Sequence, residues 1–177
     1  FNEYLSLTPD RDTETYALAY YNLAYIAFHK KDYPLAQSRF QKFIQLEKSG
    51  NATALADACN RIGDCYLHVR RFDEAKQYYT KAENMETPAR DYSCYQLALV
   101  AGLQKDYSEK VSLLNRLASK YPTSPYAVNA LYEKGRSYVQ TGNSRQAIAT
   151  FKELMEKYPE SPVSRKAAAE TGLLYYQ

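Results

Sequence analysis

The sequence predicts an all-α fold, a solenoid of helical hairpins stacked one on the next, and three observations carry that prediction. A small residue recurs at Ala24, Gly63, Ala98, Gly135 and Gly172, at intervals of 39, 35, 37 and 37. A second landmark at Ala36, Ala75, Lys110 and Ala147 keeps the same 39, 35 and 37 spacing. No sustained period-two stretch with turn residues competes for a strand assignment. Two antiparallel helices joined by a short turn approach closely only where one lacks a bulky side chain. Two sets of such positions in one register therefore describe a repeated hairpin.

Taken in order, residues 1–9 match the tail of a second helix: Phe1, Tyr4 and Leu5 repeat the spacing of Phe40, Phe43 and Ile44, and Pro9 ends it. Residues 13–50 form the first complete hairpin, turning at Lys31-Asp32, and residues 52–85 the next, turning at Arg70-Arg71. Thr87-Pro88 opens the third, residues 87–122, which turns at Lys105-Asp106 and stops at Tyr121-Pro122. The fourth, residues 124–159, is the clearest copy. Ser124 caps it, Pro125 takes the first helical position, and Gly142-Asn143 supplies the turn. Its second helix carries Ala147, Ile148, Phe151, Leu154 and Met155 at helical spacing until Tyr158-Pro159 stops it. Residues 161–177 read as one more first helix.

Within each unit an aromatic after the turn plugs the hairpin: Tyr33, Phe72 and Tyr107. A large apolar residue beyond the second landmark, at Phe40, Tyr79, Leu114 or Phe151, is expected to face the next unit. Lys110 breaks the small-residue rule. Its stem is expected to snorkel from a wider crossing, with irregular packing in the third hairpin.

Composition narrows the function classes. Hydrophobic residues make up 45% of the chain, enough for a core, and no apolar run is long enough to span a membrane. The chain begins with Phe1 and shows no signal-peptide core, so a piece of a longer protein is expected. Its formal charge of +3 is dispersed, and the longest basic clusters are the pairs Lys30-Lys31 and Arg70-Arg71. That is no phosphate-tracking stripe, and no nucleic-acid partner is expected. Cys59 and Cys65 lie too far around and along one helix to pair, and with Cys94 they read as small buried hydrophobes. Asn51-Ala52-Thr53 fits a glycosylation pattern by chance.

The phrases YYNLAYIAFHKKDYPLAQSRFQKFI and NRIGDCYLHVRRFDEAKQYYTKA resemble the tetratricopeptide repeat. The resemblance implies a right-handed superhelical array and a protein-interaction scaffold. Repeats in that family usually run about 34 residues, so the longer intervals here imply lengthened helices. KYPTSPYAVNALYEKG and KYPESPVSRKAAAETG share Tyr-Pro-x-Ser-Pro, which looks like repeats of bacterial cell-envelope proteins. Examples are the lipoprotein of the outer-membrane β-barrel assembly machine and the periplasmic coordinator of the Tol-Pal system. That implies a periplasmic or envelope setting.

Stacked hairpins leave an extended surface lined by their first helices. In this register the candidate partner-binding residues are Tyr21, Tyr25, Phe28 and His29 from the first hairpin, with Asn60, Arg61 and Asp64 from the second. The third offers Tyr92, Tyr95 and Leu99, and the fourth Asn129, Tyr132 and Arg136. Such a mixture is enriched at protein interfaces. Nineteen tyrosines cannot all contact a ligand, however, and many read as plugs between helices. Some family members grip a C-terminal carboxylate with Lys and Asn, whereas here Tyr21, Tyr25 and Asp64 occupy those places. His29 and His68 fall at equivalent first-helix ends and read as solvated, and no zinc-protease, Cys-x-x-Cys or phosphate-loop motif occurs.

The expectation is a non-catalytic scaffold holding a peptide or protein segment, with no cofactor and no metal. Glycan recognition by the groove tyrosines and a passive spacer within a longer repeat protein are the alternatives. Self-association through the end repeats is also expected to be open to the chain.

Overall fold

The computed structural model describes residues 2–7 and 13–176. Among these the chain is all-α: α1 (Asn2–Leu7), α2 (Thr13–His29), α3 (Tyr33–Leu46), α4 (Ala52–His68), α5 (Phe72–Glu83), α6 (Arg90–Leu103), α7 (Tyr107–Lys120), α8 (Ala127–Gln140), α9 (Ser144–Lys157) and α10 (Pro162–Tyr175). It is a repeat solenoid built from two compact units, one running to Ser93 and the other starting at Cys94. In the first unit α2 packs on α3, α3 on α4, and α4 on α5. In the second, α7 packs on α8, α8 on α9, and α9 on α10. The readings of Phe1 and Pro9 lie outside the described residues.

The four turns share one backbone solution. Lys31, Arg70 and Lys105 have φ of 61°, 61° and 62°, and Gly142 has 74°. Each sits in the left-handed region that ends a helix in a Schellman motif. The following amide closes the motif on the preceding helix: Asp32 to the Ala27 carbonyl, Arg71 to Tyr66, and Asp106 to Ala101, each at 2.9 Å, and Asn143 to Tyr138 at 2.8 Å. Asp32 and Asp106 then cap the next helix by accepting from the amides of Leu35 and Glu109. One short segment thus stops one helix and starts the next.

The junctions between hairpins repeat as well. Hydroxyls of Thr87, Ser124 and Ser161 accept from the amides two residues on, Ala89, Tyr126 and Val163, at 3.3, 3.1 and 3.2 Å. Ser124 and Pro125 do not cap and open α8 as the sequence reading had them: both lie in the turn before the helix, which begins at Ala127 with Tyr126 at its N-cap. At Ser161-Pro162 the proline does open the helix. Asn51 caps α4 by accepting from the Ala54 amide at 3.1 Å, which explains the residue at the glycosylation-like triplet.

Packing within a hairpin is keyed by size. A Cβ on Gly63 would lie 2.6 Å from the Tyr79 ring, and one on Gly135 would lie 2.3 Å from the Phe151 ring. Phe40, Tyr79, Leu114 and Phe151 are buried, as are Ala36, Ala75 and Ala147. Tyr79 and Phe151 therefore fill the notch on the first helix of their own hairpin, where the sequence reading had them face the next unit. The reason is proximity: the missing Cβ opens space directly beneath the ring. The cysteines are free and buried, and burial pushes the thiols of Cys59 and Cys65 up to about 11 and about 12.

Gly63→Ala and Gly135→Ala should each destabilise the protein by about 1–3 kcal/mol, because a buried ring must move. Gly172→Ala should be neutral or stabilising by up to about 1 kcal/mol, since alanine favours helix and nothing stands within 4 Å of the added carbon. Denaturant midpoints of the three variants check the contrast. Equal losses at all three positions would contradict the notch.

Candidate protein-interaction surface

The first helices of the first unit carry a polar chain instead of an open strip. Tyr21 and Tyr25 both donate to Asp57 on α4, Tyr21 at 2.7 Å. One turn on, the Arg61 guanidinium lies 2.8 Å from Asp64, with its Nε 3.7 Å from Asp57. Asp64 in turn accepts from the Tyr79 and Tyr92 hydroxyls at 2.6 and 2.8 Å. Arg61 also stands over the rings of Phe28 and Tyr92, at 5.8 and 5.1 Å from their centroids. The spacing Asp57–Arg61–Asp64 puts all three on one helix face. Aromatic neighbours cover much of it, leaving the Asp57 and Arg61 side chains 30% and 21% exposed.

Several candidate groove residues are spent on this packing. Asn60 is 1% exposed and accepts from the Ser93 hydroxyl at 2.8 Å, and Asp64 is 7% exposed. Neither presents its side chain to a partner, a correction to the sequence reading; burial between helices has claimed both. Tyr21 packs edge-on to Phe40, and Tyr25 does the same, so one side of each ring is committed within its own hairpin. Phe28 lies against Tyr33 and His29. The two histidines do not share a site: His68 stacks on Tyr33 at 4.2 Å, whereas His29 lies beside Tyr25 and Phe28.

The second unit presents its candidates differently. Tyr95 stacks on Tyr126 with ring centroids 5.2 Å apart, and Tyr132 tilts onto Phe151. The Tyr132 hydroxyl donates to Glu170 at 3.4 Å, and Arg136 Nε lies 4.0 Å from the same carboxylate. Tyr95, Leu99 and Tyr132 remain half-buried, while Asn129 and Arg136 are exposed. Lys110, 8% exposed, does not snorkel to solvent, a correction to the sequence reading. Its stem runs over Gly102 and its ammonium pairs with Glu133. Beside it a recess of about 430 Å³ opens among Leu99, Leu103, Tyr107 and Arg136. Sequence reasoning missed Asp57, Gly102 and Glu170. The first was signalled by its spacing to Arg61, and the second by the bulkier residues at its register positions, Phe28, Leu67 and Val139.

Burial and the adjoining carboxylates shift the tyrosines upward. Burial first, then the bond to Asp57, pushes Tyr21 up to about 12, and the same causes in the same order raise Tyr25 further. Tyr79 and Tyr92 rise by burial and by the charge of Asp64. Tyr95 is pushed up to about 12 by burial and by Glu133. Burial also raises Asp64, an effect that the Arg61 charge only partly offsets.

Two outcomes follow from this arrangement. Asp64→Ala leaves the Arg61 guanidinium with only the more distant Asp57 and takes the acceptor from two tyrosine hydroxyls. It should cost about 3 kcal/mol in urea unfolding, against well under half that for Asp73→Ala on the exposed start of α5. Raised tyrosine pKa values add stability that is fully present below the ordinary value of 10 and lost as pH climbs towards about 12. An alkaline titration should therefore show tyrosinate absorbance and helix loss rising together above pH 10. Non-cooperative ionisation with helicity intact would contradict the network.

Family models described as the tetratricopeptide repeat match residues 15–85 and, in a second model, residues 93–124 and 129–161. Among solved structures the chain is similar to a tetratricopeptide repeat protein from Parabacteroides merdae, at 18% identity and TM-score 0.76, over 90% of this chain and 60% of that one. It is similar also to YrrB, described as a tetratricopeptide repeat protein with an unusual peptide-binding site, at 17% identity and TM-score 0.68, over 86% and 74% of the two chains. MamA resembles it at 16% identity and TM-score 0.72, over 90% and 81%. At such identities these likenesses establish the fold alone. No curated protein matches the chain. With matched segments covering well over half of its residues in the register that the hairpins keep, the chain belongs to the tetratricopeptide repeat family.

Proposed function

We propose that this protein is a non-catalytic scaffold that holds a peptide or protein segment against its first helices. The observation that carries the reading is the face of the second unit. There Tyr95, Leu99 and Tyr132 stay half-buried beside an exposed Asn129 and an Arg136 that is 46% exposed at its side chain. Aromatic and apolar groups held on helices, with one exposed cation among them, have the composition of a docking surface. The family's usual role in protein interaction supports the same reading, as does the peptide-binding site described for YrrB. Hairpin landmarks recurring at intervals of 35–39 residues support one repeat array over residues 1–177.

Glycan recognition has less behind it, because Tyr21 and Tyr25 are committed to Asp57 and Phe40. The Tyr-Pro-x-Ser-Pro junctions support an envelope setting, which fractionation of source cells tests directly. Among the described residues no helix is long and apolar enough to cross a membrane.

A photo-crosslinking residue at position 136 should yield a discrete protein or peptide adduct in source cells. The same residue at Lys152, exposed on α9, should yield none. Adducts from position 152 alone, or equally from both, would place binding elsewhere and overturn the reading.

A further inference from the structure

Internal repetition supplies a reference for every position, and one position stands out. Four residues after the first-helix small residue the chain has Phe28, Leu67, Gly102 and Val139. In the first hairpin the Phe28 ring occupies the space between α2 and α4, against Tyr33 and beneath the Arg61 guanidinium. In the third hairpin Gly102 removes that ring. The second landmark, alanine elsewhere, is Lys110, whose Cδ lies 2.9 Å from where a Gly102 Cβ would stand. The lysine stem covers the floor of the vacated space and leaves the rest open as the recess of about 430 Å³.

The walls define what fits. Leu99, Leu103 and Tyr107 line the recess, and Leu103 is 50% exposed although apolar. Lys110 and Glu133 neutralise each other at the base. At the mouth Arg136 is 46% exposed at its side chain, with its Nε 4.0 Å from Glu170, a long contact that leaves part of the guanidinium facing solvent for a second acceptor. In the second hairpin the residue corresponding to Arg136 is Asp64, buried and fully engaged. The site beside Gly102 thus combines a recess with one apolar wall, wide enough to admit an aromatic ring, with a partly exposed cation at its rim.

We infer that this recess is the anchor pocket of the peptide-binding face. It takes one large apolar side chain, Phe or Leu, from an extended segment of the partner, with an adjacent Asp or Glu meeting Arg136. The bound side chain replaces the ring that Phe28 supplies in the first hairpin. The inference rests on the scaffold reading above and names the partner chemistry for that surface.

The test uses end-blocked peptides, so that no terminal carboxylate contributes: acetyl-Ser-Gly-Phe-Glu-Gly-Ser-amide, and the same peptide with Ala for Phe or Lys for Glu. Amide resonances of Gly102, Leu103 and Arg136 are followed by NMR titration. The Phe-Glu peptide should shift them saturably, and each altered peptide should bind at least about tenfold more weakly, as expected for losing a buried anchor or a charge-assisted contact. The double variant G102F/K110A, which recreates the Phe28–Ala36 pair, should abolish the response. Leu103→Glu, a substitution at an exposed position, should abolish it too and guards against misfolding of the double variant.

Equal binding of the Phe and Ala peptides, or no binding of any, would overturn the pocket. So would undiminished binding to folded Leu103→Glu. Crosslinking from position 136 could still succeed in those cases, which separates failure of the pocket from failure of the scaffold.

Discussion

The contact on which the rest depends is a glycine notch filled by an aromatic ring. Gly63 beneath Tyr79 and Gly135 beneath Phe151 bring the two helices of a hairpin together at one fixed height. In these two hairpins the ring stands where a Cβ would otherwise lie, so the pair fixes register along both helices. The Schellman turns then need only reverse the chain. Because the notch is satisfied within its own hairpin, each unit offers its neighbours a shaped surface, and stacking adds burial between preformed partners.

Stacking in the two units is reinforced by different chemistry. In the first, two carboxylates and one guanidinium sit among tyrosine hydroxyls, and the energetic demand of burying charge makes the arrangement intolerant of slippage. Residues that a surface reading assigns to recognition are consumed there. In the second, the Lys110–Glu133 pair takes up one polar contact, and Tyr95, Leu99, Tyr132 and Arg136 keep part of their surface for solvent. The same register positions are therefore structural in one half and available in the other.

Most of the fold was legible in the sequence because its signals are local. Paired small residues at 35–39 spacing marked the hairpins, and the turns fell where Lys31, Arg70, Lys105 and Gly142 break the helix. The surface was less legible, because exposure depends on partners far apart in sequence. Asn60 looks like a groove residue until Ser93, 33 positions away, is seen to donate to it. Tyr79 looks like a contact to the next unit until the empty space over Gly63 is measured. Lys110 was noticed as an exception, but its explanation needed Gly102, which carries no chemical signal of its own. Only comparison across repeats exposes it.

A double-mutant cycle at Gly135 and Phe151 tests the central contact most directly, since Phe151 forms no polar bond that would complicate the cycle. The account predicts that Phe151→Leu, which shortens the ring to a branched chain, recovers much of the stability lost in Gly135→Ala, with a coupling of at least about 1 kcal/mol. Strictly additive losses would mean that the glycine and the ring do not depend on each other, and the notch would not be what holds the hairpin in register.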